Sequence, residues 1–237
     1  MYNDNAQKLI DNGYHPIPIA PPNADPEVLP KKCPVRFVPE LGKHVKFKDW
    51  SNRPEPIMTP QADAGIGVRC GDNGLVAFDY DAEDAALVIS EAFACPVNKA
   101  GERGWTAFFR ADFAVSSEDF HDKDGVLALQ VLSSGKQTVI PPSIHPDTKQ
   151  SYRWTNGKTL YDTKVDELPP LPRDYRERIL ALGYLASNPK KDRVTPDTVS
   201  TVDADSTLAE LNALALKNLA QWVPALGLYN CKRRMGR

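Results

Sequence analysis

A chain of 237 residues, 41% hydrophobic and 25% charged, has the make-up of a soluble globular protein and the length for one large domain, or for one domain and a fragment. Its formal net charge of -2 excludes a uniformly basic nucleic-acid binder, and no apolar run is long enough to cross a bilayer. The N-terminus lacks the basic-then-apolar layout of a secretory leader, and Cys33, Cys70, Cys95 and Cys231 include no C-x-x-C pair; together these argue against a disulfide framework or a zinc site and predict a cytoplasmic protein.

The first element expected is a short helix over residues 6–12, stopped by Gly13 in the position of a C-cap glycine. His15-Pro16-Ile17-Pro18-Ile19 alternates like an edge strand, the kind that tolerates proline. Residues 20–60 are rich in proline and lysine with little periodicity, and predict a long, partly ordered connection. Lys31, Lys32, Arg36, Lys43, Lys46, Lys48 and Arg53 make this stretch locally basic, suited either to a solvated loop or to a phosphate backbone. Residues 64–69 and 75–78 predict two strands of a hairpin around Gly71-Asp72-Asn73-Gly74.

Residues 82–93 predict a helix, and Lys99-Ala100-Gly101-Glu102-Arg103-Gly104 a basic glycine turn before a strand over 105–110. A further hairpin is expected from 127–132 and 137–140 around Ser133-Ser134-Gly135-Lys136, then an edge strand over 151–154 and a helix over 173–185. Strands and helices mix without strict alternation, which predicts a mixed α/β domain over residues 1–186. Residues 187–206 read as a polar linker. Within 207–237, residues 208–223 form an amphipathic helical pattern that needs a partner surface, either the main domain or a further module.

Chemistry concentrates where the apolar run Leu75-Val76-Ala77-Phe78 meets Asp79-Tyr80-Asp81. Alternation along a strand puts both aspartates on one face, about 6 to 7 Å apart at the backbone. Two carboxylates aimed at one point suit a hard divalent cation that also takes phosphate oxygens, although a polar turn with two solvated acids has the same local pattern. The second chemical segment is Pro141-Pro142-Ser143-Ile144-His145-Pro146. Its paired prolines stiffen the backbone, and its alternation allows Ser143 and His145 to face one side.

These segments, with Gly13-Tyr14-His15-Pro16-Ile17-Pro18, Gly65-Ile66-Gly67-Val68-Arg69-Cys70-Gly71 and residues 99–110, resemble the bifunctional DNA primase/polymerase N-terminal domain family, a branch of the archaeo-eukaryotic primase superfamily, over residues 5–183. The resemblance implies a primase-like α/β core with a mixed sheet. It also implies template-directed nucleotidyl transfer on single-stranded DNA with dNTP or NTP, and Mg²⁺ or Mn²⁺ held by Asp79 and Asp81. Ser143 and His145 would contact the nucleotide's phosphates, with Arg103 and Lys136 as phosphate partners by charge. Residues 211–226 resemble a segment that follows this domain in phage- and plasmid-type replication proteins, where a helicase often comes later in the chain.

One departure stands out. The family's third carboxylate falls on Gln130, which offers an oxygen but no charge. A unit-charge pair at 4 Å and an effective dielectric near 20 is worth about 4 kcal/mol, doubled for a divalent ion, so the change bears on metal affinity. An inactivating change, a site that works with two acids and a shifted alignment all stay open, with Glu102, Asp162 and Asp166 as substitutes. The alternative functions are a non-catalytic module that binds single-stranded DNA or nucleotide, and an adaptor acting through the helix at 208–223.

Overall fold

The computed structural model describes residues 1–187, apart from 54, 58–60, 62, 102 and 103. Arg103, Glu102, the linker beyond residue 187 and the helix expected at 208–223 therefore lie outside the described residues.

Helix α1, Tyr2–Asp11, starts four residues earlier than its periodicity suggested, because Tyr2, Ala6 and Leu9 share its buried face. Gly13, in the left-handed region at φ +86, turns the chain into strand β1, Pro16–Ile19. The stretch expected to be a connection contains an antiparallel pair, β2 (Val35–Val38) and β3 (Lys43–Lys46). Its strands are four residues long and only Val35 is deeply buried, too little apolar content to register as a period. Strands β4 (Gly65–Arg69) and β5 (Leu75–Tyr80), helix α2 (Glu83–Ala92), β6 (Asn98–Ala100) and β7 (Trp105–Arg110) follow. Next come β8 (Glu118–His121), β9 (Leu127–Leu132), β10 (Gln137–Ile140) and β11 (Arg153–Trp154), then α3 (Tyr175–Ala181) and β12 (Leu185–Ala186).

The class is mixed α/β, as expected. The strands form a sheet in the order β1-β4-β10, a seven-stranded sheet β11-β6-β7-β5-β9-β8-β12, and the β2-β3 pair. The pairings between these strands are antiparallel, where a mixed sheet was expected. Neither expected hairpin exists. Strand β4 pairs with β1 and β10, and β5 pairs with β7 and β9, so residues 70–74 and 133–136 are two corners that carry neighbouring strands from one sheet into the other. The corners lie against each other, the Cys70 N–H donating to the Lys136 carbonyl at 2.9 Å. A corner between sheets and a hairpin turn use the same glycine-rich sequence, so local pattern does not separate them.

Two cores flank the seven-stranded sheet. Tyr2, Leu9, Ile66, Val68, Leu75, Ala77 and Phe108 fill the side facing α1 and the smaller sheet. Val76, Phe78, Tyr80, Ile89, Phe109, Leu129 and Tyr175 fill the other, beneath α2 and α3. The last helix is shorter than expected, because Gly183 at φ +92 lets the chain leave it and Leu185–Ala186 pairs with β8. Strand β8 was hidden in the sequence by its charges. Its Glu118 is buried as an ion pair with Arg176 (Nε–Oε2 3.0 Å), a pairing that no local pattern reveals.

Candidate active site

Along β5 the residues facing the smaller sheet are Leu75, Ala77 and then Asp79, so this face turns from apolar to acidic within one strand. Strand register puts Asp79 in a polar row that crosses six strands: Trp154, Lys99, Thr106, Asp79, Gln130 and Asp119 stand opposite one another in that order. Directly opposed residues share a face with Cβ atoms about 4.5–5.5 Å apart, so each side chain meets the next. The Thr106 hydroxyl donates to Asp79 Oδ1. Gln130 Nε2 donates to Asp119 Oδ1 at 3.0 Å.

Asp81 follows β5, its N–H bonded to the Ala128 carbonyl at 3.1 Å. Partial burial, then repulsion from Asp79 and Asp119, pushes its carboxyl up to about 6, while Lys32 opposes the shift. Lys99 is buried, which pulls its ammonium below the ordinary lysine value against the attraction of Asp79. Its Nζ lies 5.0 Å from the centroid of the Tyr152 ring, and Tyr152 in turn packs against His145 with ring centroids 5.5 Å apart. His145 Nδ1 accepts the backbone N–H groups of Asp147 (3.2 Å) and Thr148 (3.4 Å). An accepting Nδ1 places the proton of the neutral ring on Nε2, making that edge a donor.

These groups meet in a cavity of about 290 Å³ between the two sheets, with Asp79, Asp81, Lys99, Lys32, His145 and Tyr152 on its wall. A larger hollow of about 860 Å³ shares Asp81, Gly101 and Trp105 with it and runs beneath α2, with Arg153, Asn98 and Asn156 on its wall.

The structure thus brings Asp79, Asp81 and His145 to one cavity and sets Gln130 beside Asp79. Ser143 does not join them. Its hydroxyl accepts the Ile66 N–H at 2.7 Å and donates to the Ile66 carbonyl at 2.9 Å, and the residue is buried against β4. The backbone turns at Ser143, whose N–H bonds the Ile140 carbonyl, so the alternation that would align it with His145 does not apply. Lys136 is exposed in the corner after β9, and the cavity wall begins one residue later, at Gln137. Neither Asp162, which accepts the Thr159 N–H at 2.8 Å, nor Asp166 lines the cavity.

Lys99, Thr106, Asp119, Tyr152 and Lys32 are the neighbours that sequence reading missed. Lys99 was assigned to a turn, and only the cross-strand register puts it on the face of Asp79. Strand β8 carries a single apolar residue, Phe120, among Glu118, Asp119 and His121, so no local signal marked it or Asp119.

Asp79 and Asp81 have the donor chemistry for a magnesium-like ion held by one or two carboxylates with water and phosphate oxygens completing its shell. No group of three His, Cys, Asp or Glu side chains arranged for a metal occurs among the described residues. A search of curated proteins returned no match. A family model described as bifunctional DNA primase/polymerase, N-terminal, matches residues 6–174, taking in every described wall residue of the cavity. With that match spanning most of its length, the chain belongs to the bifunctional DNA primase/polymerase N-terminal family.

Proposed function

We infer that this chain carries out metal-dependent, template-directed nucleotidyl transfer, making and extending primers on single-stranded DNA in a phage- or plasmid-like replication system. Family membership implies DNA and nucleotide substrates, and the family is typically metal-dependent. The observation that carries the reading is the meeting of Asp79, Asp81, Lys99 and His145 on one cavity wall.

Asp79 and Asp81 would hold Mg²⁺ or Mn²⁺, which supplies charge neutralisation at the phosphates and a more acidic 3′-hydroxyl. Thr106 orients the Asp79 carboxylate by donating to it, leaving the second oxygen for other partners. The His145 Nε2–H is suited to donate to a phosphate oxygen, its tautomer set by two backbone amides. The larger hollow offers the Trp105 ring and the Arg153 guanidinium to a single strand, the pairing of aromatic face and cation that such strands favour.

The test is incorporation of labelled dNTP or NTP on a single-stranded template with Mn²⁺. Replacing both Asp79 and Asp81 by alanine should reduce incorporation to background, and retained synthesis would refute the assignment.

A second reading, a module that binds nucleotide or single-stranded DNA without synthesis, is favoured by Gln130. Its side chain stands where the resemblance expects a carboxylate, and its amide is engaged by Asp119. Under this reading the wild type binds but does not synthesise, and Gln130→Glu creates or strongly raises Mn²⁺-dependent incorporation. If the wild type already synthesises and Gln130→Glu adds little, the two-carboxylate site is sufficient.

A further inference from the structure

Lys99 is about 5% exposed, yet its ammonium has no hydrogen bond or ion pair among the described residues. The face of Tyr152 and the field of Asp79 are what it meets. A buried ammonium left in this state is costly, and its usual remedy is an anion or hydrogen-bond acceptor. Across the cavity stands Lys32, whose backbone sits in the left-handed region at φ +60, an unusual conformation for a lysine. Two contacts pin that backbone. The Lys32 carbonyl accepts Gln137 Nε2 at 3.0 Å, and the adjacent Lys31 pairs with Asp147. The two cations face the same space, and Lys32 disfavours the charge of Lys99. As two aspartates aimed at one point suit a cation, two lysines held this way suit a multiply charged oxyanion. Among the described residues the attraction of Asp79 is the one carboxylate influence on the Lys99 ammonium, and no hydrogen bond accompanies it.

We propose that Lys32 and Lys99 form a clamp for the phosphate chain of a nucleotide that works without a divalent ion, so that nucleotide binding by this chain is separable from metal binding. The proposal rests on the reading of the cavity as a nucleotide site. Phosphate is the recognised chemistry, and it reaches such a cavity either on a nucleoside triphosphate or as the backbone of a strand. The same wall carries Asp79, Asp81 and His145, the residues read as the nucleotide site, which favours the triphosphate.

The test is calorimetric titration of the full chain in EDTA with dATP, tripolyphosphate, deoxyadenosine and an oligothymidylate lacking a terminal phosphate. Expected are binding of dATP and tripolyphosphate to the wild type, and at least about tenfold weaker binding to Lys99→Met and to Lys32→Met, as for loss of a charge-assisted hydrogen bond. Lys99→Arg should keep most of the affinity. Lys99→Met should melt at or above the wild-type temperature, since it removes an unpaired buried charge; if it fails to fold, Lys32→Met, at an exposed side chain, carries the test. Met variants that bind dATP in EDTA as well as the wild type overturn the proposal. Weakened binding of oligothymidylate with dATP binding unchanged also overturns it, and assigns the lysines to the strand. Wild type that binds dATP only when Mn²⁺ is added removes the clamp but leaves the transferase reading standing. Binding in EDTA without any incorporation under Mn²⁺ keeps the clamp and sinks the transferase.

Discussion

Asp81 stands two residues beyond Asp79, and burial with its acidic neighbours holds its carboxyl up near 6 against an ordinary value of 3.8. Between those two pH values the folded chain binds more protons than the unfolded one, so stability falls as pH rises from about 4 to about 6 through this residue. Thermal melts across that range should show the decline in the wild type, and Asp81→Asn should flatten it. Cation binding has the opposite dependence, because the ion requires the ionised carboxylate. Mn²⁺ affinity measured by titration should rise from pH 5 to pH 7, with proton release on binding at the lower pH. An affinity that is flat across this range would separate Asp81 from the cation. At this scale the structure brings Asp79, Asp81 and His145, which residue type and spacing singled out in the sequence, to one cavity wall. Ser143, singled out with them, is not on that wall, because a two-residue rule holds for a strand and the chain turns there.

At the scale of elements, the corners at 70–74 and 133–136 decide where β5 and β10 lie relative to each other. Gly71 adopts φ +86, and a Cβ placed on it would come within 2.5 Å of the Ser134 backbone. Any side chain there meets both an unfavourable conformation and a backbone that cannot swing aside. Gly71→Ala should therefore lower unfolding free energy by about 2 kcal/mol or more, read from urea denaturation. A loss below about 0.5 kcal/mol, the range of an ordinary surface change, would show that the corner is more pliable than its geometry implies. The strands themselves were largely visible in the sequence, β9 and β10 over the residues expected. Their partners were not, since glycine, serine and asparagine mark a change of direction without saying which strand the chain meets afterwards. The β2-β3 pair went unseen because its lysines and prolines mask two very short strands.

For the whole molecule, the cavity lies where the two sheets part, so its wall is assembled from distant stretches of chain: Lys32, β5 to β7, β10, and the segment carrying His145 and Tyr152. The sequence by itself determined the α/β class, the strand bearing Asp79 with Asp81 following it, and the resemblance to a primase/polymerase domain, with Gln130 where that resemblance expects a carboxylate. Each depends on residue type and on short spacings that a strand or turn converts directly into geometry. Only the tertiary structure decided that β4 and β5 belong to different sheets, that Gln130 is held between Asp79 and Asp119, and that Lys99 comes to the same face as the aspartates. Cross-strand register joins residues well separated in the chain, Asp79 with Gln130 and Lys99 with Trp154 among them, and many partners satisfy the same local pattern. The choice among them is made by which apolar faces can be buried together, a property of the packed chain as a whole.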